Sequence, residues 1–383
     1  MANDVTAKKK PLTRFGEFDF LKAAAILGLP AVHLLEEAME GGYASAGLEK
    51  FGFMIIGLCA FGPSVFMICM GFGVGGGRMN VDALRRNGIQ FLLIGAILNV
   101  LRWFIPGILQ SILIDKNLID DFEFCIQSDI YYFVGIFYIF YSILRQLKIQ
   151  SLGTIGISIV MLTINTLLTP FMSTHITNTT LACLVGNFVY VNETSCFPLL
   201  SWAIFPSIGI FLGEILKKSD EEQRENIMKR VLDFSAVLFV SFTVFLWTYH
   251  IDIEKALVSP ANEYITDLPN VVLLVSLALF LVALTYYLCK HIGASKFMEF
   301  MLRISAFIIP FYMTQWVIIA WIFYGVEICH GTEGCFNLWW YIGCVIVVTA
   351  FCIYVATKHG MKLMKVLLKV TTFKKKKKKK AKA

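Results

Sequence analysis

Arg14, Asp19, Lys22 and His33 are set within one largely apolar run, Thr13-Arg-Phe-Gly-Glu-Phe-Asp-Phe-Leu-Lys-Ala-Ala-Ala-Ile-Leu-Gly-Leu-Pro-Ala-Val-His33. Ionisable side chains inside a bilayer are costly and normally face a bundle interior or a water-filled cavity, so this seam points to a working site. Lys22 and His33 are three helical turns apart, on nearly one face, separated by about 16 Å along the axis. That geometry suits an anionic group docking at one level while a proton acceptor works at another. A neutral imidazole is the usual general base near pH 7, which makes His33 the leading catalytic candidate. A proton-relay or acceptor-binding role and a structural role stand beside it. Glu36 and Glu37, one turn further on, either orient the ring as a triad carboxylate does or sit solvated at the helix end.

The elements that position these groups are membrane helices. Of 383 residues, 57% are hydrophobic and 16% charged, with a mean hydropathy of +0.69. This excludes a soluble domain and gives an all-α, polytopic membrane protein. Apolar runs of spanning length occur at 18–39, 51–75, 86–106, 129–147, 151–172, 197–216, 231–250, 268–289, 301–325 and 337–357, about ten helices. Lys and Arg gather at alternate connections, with Arg78, Arg85 and Arg86, then Arg145 and Lys148, then the 217–230 segment, then Lys290 to Arg303. The intervening loops are nearly bare of them. By the positive-inside rule both termini are cytoplasmic. The basic N-terminal stretch before the first run reads as an uncleaved signal anchor. Residues 1–360 form a single transmembrane domain and 361–383 a basic cytoplasmic tail.

The seven lysines Lys374 to Lys380 suit anionic lipid headgroups rather than nucleic acid. Cys125, Cys183, Cys196, Cys329 and Cys335 fall at the outward loops. There a Cys329–Cys335 staple and a set of unpaired thiols are both open readings. Asn178-Thr-Thr and Asn192-Glu-Thr are sequons on one outward loop. No Cys-x-x-Cys spacing suggests a metal site. The run Gly71-Phe-Gly-Val-Gly-Gly-Gly77 matches neither a P-loop nor a dinucleotide fingerprint, and reads as a flexible helix end allowing close approach of a partner or of the long arm of a ligand.

The opening helix, with Asp19, Leu21-Lys22-Ala23, an apolar run and His33, resembles the start of the transmembrane acyltransferase superfamily. That group includes the acyltransferase-3 proteins and the heparan-alpha-glucosaminide N-acetyltransferase-like membrane proteins. Phe61-Gly-Pro-Ser-Val-Phe-Met-Ile-Cys-Met-Gly-Phe-Gly73, Arg85-Arg86, Ser128-Asp-Ile130 with Gly135, Phe197-Pro-Leu-Leu-Ser-Trp202 and Gly209-Ile-Phe-Leu-Gly213 are similar to further family segments. Ser305 to Trp316 resembles the late Ser…Tyr…His-Trp helix. Two positions depart from the pattern. Lys22 stands where arginine is usual, and lysine cannot make arginine's planar two-pronged phosphate contact. Gln315 stands where a second histidine is common.

The resemblance implies an acyltransferase that moves an acyl group, acetyl above all, from cytoplasmic acyl-CoA to a carbohydrate, glycoconjugate or envelope acceptor on the far face. It makes His33 base or acyl carrier, with Asp19 and Glu36 as catalytic companions. Arg14, Lys22, Arg78, Arg85 and Arg86 become candidates for the donor phosphates, although positive-inside topology alone also places arginines there. Asn99, Arg102, Asp129 and Gln315 become candidates for the acceptor; an arginine snorkelling to headgroups is the competing reading of Arg102. A homo-oligomer is compatible with all of this. The reading from another class is a multi-pass transporter that uses the polar seam as a substrate or proton path.

Overall fold

The computed structural model describes residues 15–59, 61–75, 79–113, 126, 129–192, 195–248, 268–329 and 335–371. Arg14, Arg78, Cys125 and Lys374 to Lys380 lie outside them, as does most of the Cys329–Cys335 loop. The described residues are built from helices: α1 Gly16–Glu40, α2 Ala46–Cys59, α3 Gly62–Val74, α4 Val81–Leu113, α5 Ile130–Gln146, α6 Ser151–His175, α7 Thr179–Val185, α8 Leu199–Leu216, α9 Glu221–Thr248, α10 Leu268–Ile292, α11 Lys296–Ala306, α12 Ile308–Cys329 and α13 Leu338–Thr371. Among the described residues, seven are long and apolar enough to cross a membrane. The chain is a multi-pass membrane protein.

Several of the about ten expected spans depart from their expected bounds for local reasons. The 51–75 span is broken into α2 and α3, where Gly62-Pro63 starts a new helix with a proline that lacks a donor at its second position. The 301–325 span is likewise split at Phe307, ahead of Pro310. The 129–147 span becomes α5, only 17 residues long, and α9 begins in the charged segment Glu221-Glu-Gln-Arg, well before the apolar run.

Helix α1 is the hub, packed against α2, α3, α10, α11, α12 and α13. In addition, α4 lies along α5, α3 along α8, and α9 along α10. The α3–α8 contact is backbone on backbone. A Cβ on Gly71 would run into the Pro206 carbonyl and one on Gly75 into that of Ile210. One on Gly209 would meet the Ile68 carbonyl and one on Gly213 the Phe72 carbonyl at 2.6 Å. Two Gly-x-x-x-Gly faces therefore interlock, the small-residue packing that lets membrane helices approach closely. Gly71 and Gly75 of the glycine-rich run thus lie directly against α8.

Gly209→Leu forces these backbones apart and is expected to abolish the monodisperse, folded protein on size-exclusion chromatography. Gly156→Ala, where a Cβ meets nothing within 4 Å, serves as the control and is expected to behave as wild type. A Gly209→Leu protein with wild-type stability would contradict the interlock.

Candidate functional site

His33 sits on the buried face of α1, 9% exposed, three residues after Pro30, which removes one backbone hydrogen bond from the helix. Its ring is held by α12. The Gln315 side-chain amide nitrogen lies 2.9 Å from His33 Nδ1. The Trp316 ring stacks on the imidazole with centroids 4.1 Å apart, and the Tyr312 ring stands edge-on at 6.1 Å. Tyr312, Gln315 and Trp316 fall at i, i+3 and i+4, so one helical face presents all three to α1. The hydrogen bond on Nδ1 is thus to Gln315 of α12, where the sequence offered Glu36 or Glu37 as orienting carboxylates.

A buried ion pair lies behind this ring cluster. Arg102 Nη1 is 3.1 Å from Asp129 Oδ2, with both side chains about 5% exposed or less, and the Tyr312 hydroxyl donates to the same oxygen at 3.3 Å. Arg102 also lies over the Trp316 ring, 4.8 Å from its centroid. It projects from a wide π-type turn at Val100–Phe104 that interrupts α4, a device often found at functional sites. Asp129 also caps α5, accepting from the Tyr131 backbone N–H at 3.1 Å. Arg102 is therefore turned inward and paired. Asn99, one turn earlier on α4, is fully buried.

Two cavities run along α1. The first, about 360 Å³, is lined by His33, Tyr131 and Tyr312 at one level and by Lys22, Cys69 and Gly73 at the other, with mainly apolar walls between. The second, about 470 Å³, shares Lys22, Cys69 and Gly73 and adds Asp19, Lys217 and Ser305. The two thus meet at Lys22, in the size range of small-molecule sites. Lys22 Nζ is 2.7 Å from Asp19 Oδ1, which also accepts from the Ser305 hydroxyl at 2.9 Å.

Asp19 accordingly belongs to the Lys22 level, fourteen residues and about 21 Å along the helix from His33. Arg85 donates through Nε to Ser142 Oγ at 3.4 Å and through its terminal nitrogen to Gln146, tying α4 to α5. Arg86 is exposed. Neither of these arginines is among the residues lining the two cavities.

Sequence reasoning missed Lys217 as a site residue. Its amine donates to the Phe72 carbonyl at 2.8 Å and to that of Gly75, closing the C-terminal end of α3, and it lies over the Phe72 ring. Burial pulls this ammonium below the ordinary lysine value. The signal was present, because Gly209, Gly213 and Lys217 recur every four residues and share the face that meets α3. Among the described residues, no group of three or more His, Cys, Asp or Glu side chains is placed to hold a metal.

Comparison with curated proteins and with solved structures finds no match. A family model does match, over residues 14–253, which include α1 with its seam, Arg102, Asp129, the α3–α8 interlock and Lys217. The helix carrying Tyr312, Gln315 and Trp316 lies beyond the matched segment. The match covers well over half of the chain, which therefore belongs to the family described as heparan-alpha-glucosaminide N-acetyltransferase, catalytic.

Proposed function

We propose that this membrane enzyme transfers an acetyl group from acetyl-CoA or a close acyl-CoA to an amine or hydroxyl of a carbohydrate or glycoconjugate. The observation that carries the reading is a continuous cavity lined by both Lys22 and His33, in a chain of an acetyltransferase family. The cavity at the Lys22 level receives the charged end of the donor. There Lys22 and Lys217 supply positive charge and Asp19 fixes the Lys22 amine. The apolar passage past Gly73 and Cys69 takes the pantetheine arm, which brings the thioester towards His33.

At that point the His33 Nε2 lone pair takes the acceptor's proton as the acceptor nitrogen or oxygen bonds to the thioester carbonyl carbon. The tetrahedral adduct collapses, the carbon–sulfur bond breaks, and the proton passes from the imidazolium to the departing CoA thiolate. Positive-inside topology puts the Lys22 level on the cytoplasmic side, where acyl-CoA is available. The acceptor then approaches from the other face.

Lys22→Ala is expected to raise the apparent KM for acetyl-CoA, and the wild-type KM is expected to rise with salt, while kcat at saturating donor changes little. Lys22→Arg is expected to retain or improve donor binding, because it supplies the forked phosphate contact. A donor KM that is unchanged in Lys22→Ala would contradict the placement of the donor.

A further inference from the structure

The amide of Gln315 faces His33 Nδ1 at 2.9 Å with no exposure to solvent, and its Oε1 is buried without a hydrogen-bond partner among the described residues. A carboxamide has a donor end and an acceptor end of nearly equal size, so a half-turn exchanges Nε2 and Oε1 in almost the same space. The two states demand different imidazoles. With the amide nitrogen donating to Nδ1, the ring proton must be on Nε2, and the ring then has no lone pair free to accept a proton. With Oε1 facing Nδ1, the ring carries Nδ1–H and Nε2 keeps its lone pair. Proton uptake sharpens the distinction. An imidazolium has N–H on both nitrogens, and a Gln315 N–H facing it would set donor against donor. Only the Oε1-inward state accommodates His33 both before and after it takes a proton.

We propose that Gln315 is a positioning residue that selects the His33 tautomer, its side-chain carbonyl accepting Nδ1–H and thereby leaving Nε2 as the base. This rests on the reading of His33 as the base. The surroundings favour an outside selector, because the other groups near the ring have different tasks. Trp316 covers a ring face, Tyr312 gives its hydroxyl to Asp129, and Arg102 is paired with that carboxylate. Glu37 on the next turn of α1 is directed to neither ring nitrogen by any hydrogen bond among the described residues. The role is that of the carboxylate in a catalytic triad, carried out by a neutral amide from a helix 282 residues away in sequence.

The test is a 15N spectrum of the purified, 15N-histidine-labelled protein, with the His33 signals assigned among the six histidines by their loss in His33→Gln. The expected result is a protonated, pyrrole-type Nδ1 and an unprotonated, pyridine-type Nε2 in the wild type, shifting to the Nε2–H form in Gln315→Leu. In the transfer assay Gln315→Leu is expected to lose about 10- to 100-fold in kcat with the donor KM unchanged, a smaller loss than the wrong tautomer causes in a carboxylate triad. Gln315→Glu, which keeps an acceptor, is expected to recover most of that loss and to move the acid limb of the pH–rate profile upward, which a purely structural side chain would not do.

A wild-type spectrum with the proton on Nε2 overturns the selector, whatever the activity. So does a Gln315→Leu protein with wild-type kcat and pH profile. A protein with the Nδ1–H tautomer but no transfer activity would instead remove the proposed function and leave the tautomer assignment standing.

Discussion

His33→Gln is expected to lower acetyl-transfer turnover by at least ~10²-fold, the scale on which a general base contributes, without a comparable change in donor binding. Glutamine keeps a polar side chain of similar reach that can hydrogen-bond to Gln315 and lie against Trp316, but it cannot take a proton at neutral pH. His33→Ala is expected to fall as far, with an added cost from the cavity it leaves. The pH dependence has a defined sign. The neutral imidazole is the active form, so activity is present above the apparent pKa of the ring and is lost as pH falls through it. Steady-state rates for both variants across the acid range provide the check. A His33→Gln enzyme within a few-fold of wild type would remove the ring from the proton transfer and return weight to a structural or transport role for the seam.

Asp129→Asn is expected to destabilise the protein by about 3–5 kcal/mol, the usual cost of removing one partner from a buried ion pair. The substitution separates the effects at this residue. Asparagine caps a helix about as well as aspartate, so the start of α5 is kept, while the Arg102 guanidinium, 3.1 Å away, loses its counter-charge. Because Arg102 lies over Trp316, which stacks on His33, the loss is also expected to loosen the imidazole and reduce kcat. Replacing both residues by apolar ones, Arg102→Met with Asp129→Leu, is expected to restore much of the stability and none of the activity. Thermal unfolding in micelles for the single and double variants measures this. A single variant as stable as wild type would show that the pair does not hold the helices together.

The shared face of Lys22 and His33 was legible because helical periodicity is a local property of eleven residues. The partner of His33 was not. Gln315 lies 282 positions away, and its spacing to Tyr312 and Trp316 showed a helix face without saying what that face meets. Arg102 was ambiguous for a similar reason, since its inward aim comes from the π-type turn at Val100–Phe104, which no residue pattern announces. Apolar length found the helical segments but not their breaks at Gly62-Pro63 and Phe307, or the extension of α9 back to Glu221. The charge count offered Arg85 and Arg86 for the donor, whereas Arg85 ties two helices together and Lys217 lines the cavity. Counting charges cannot tell a side chain that braces two helices from one that faces a cavity.

The most direct test of the central claim is to incubate the purified protein in liposomes with acetyl-CoA and an amino-sugar oligosaccharide. Release of the CoA thiol is followed while the oligosaccharide is analysed for added acetyl groups by mass spectrometry. The account predicts thiol release that depends on the acceptor and is matched by acetylated product, with both reduced at least ~10²-fold in His33→Gln. Acetyl-CoA left intact in the presence of folded protein and a range of amine and hydroxyl acceptors, together with passage of a solute across the liposome membrane, would contradict it and identify the seam as a transport path.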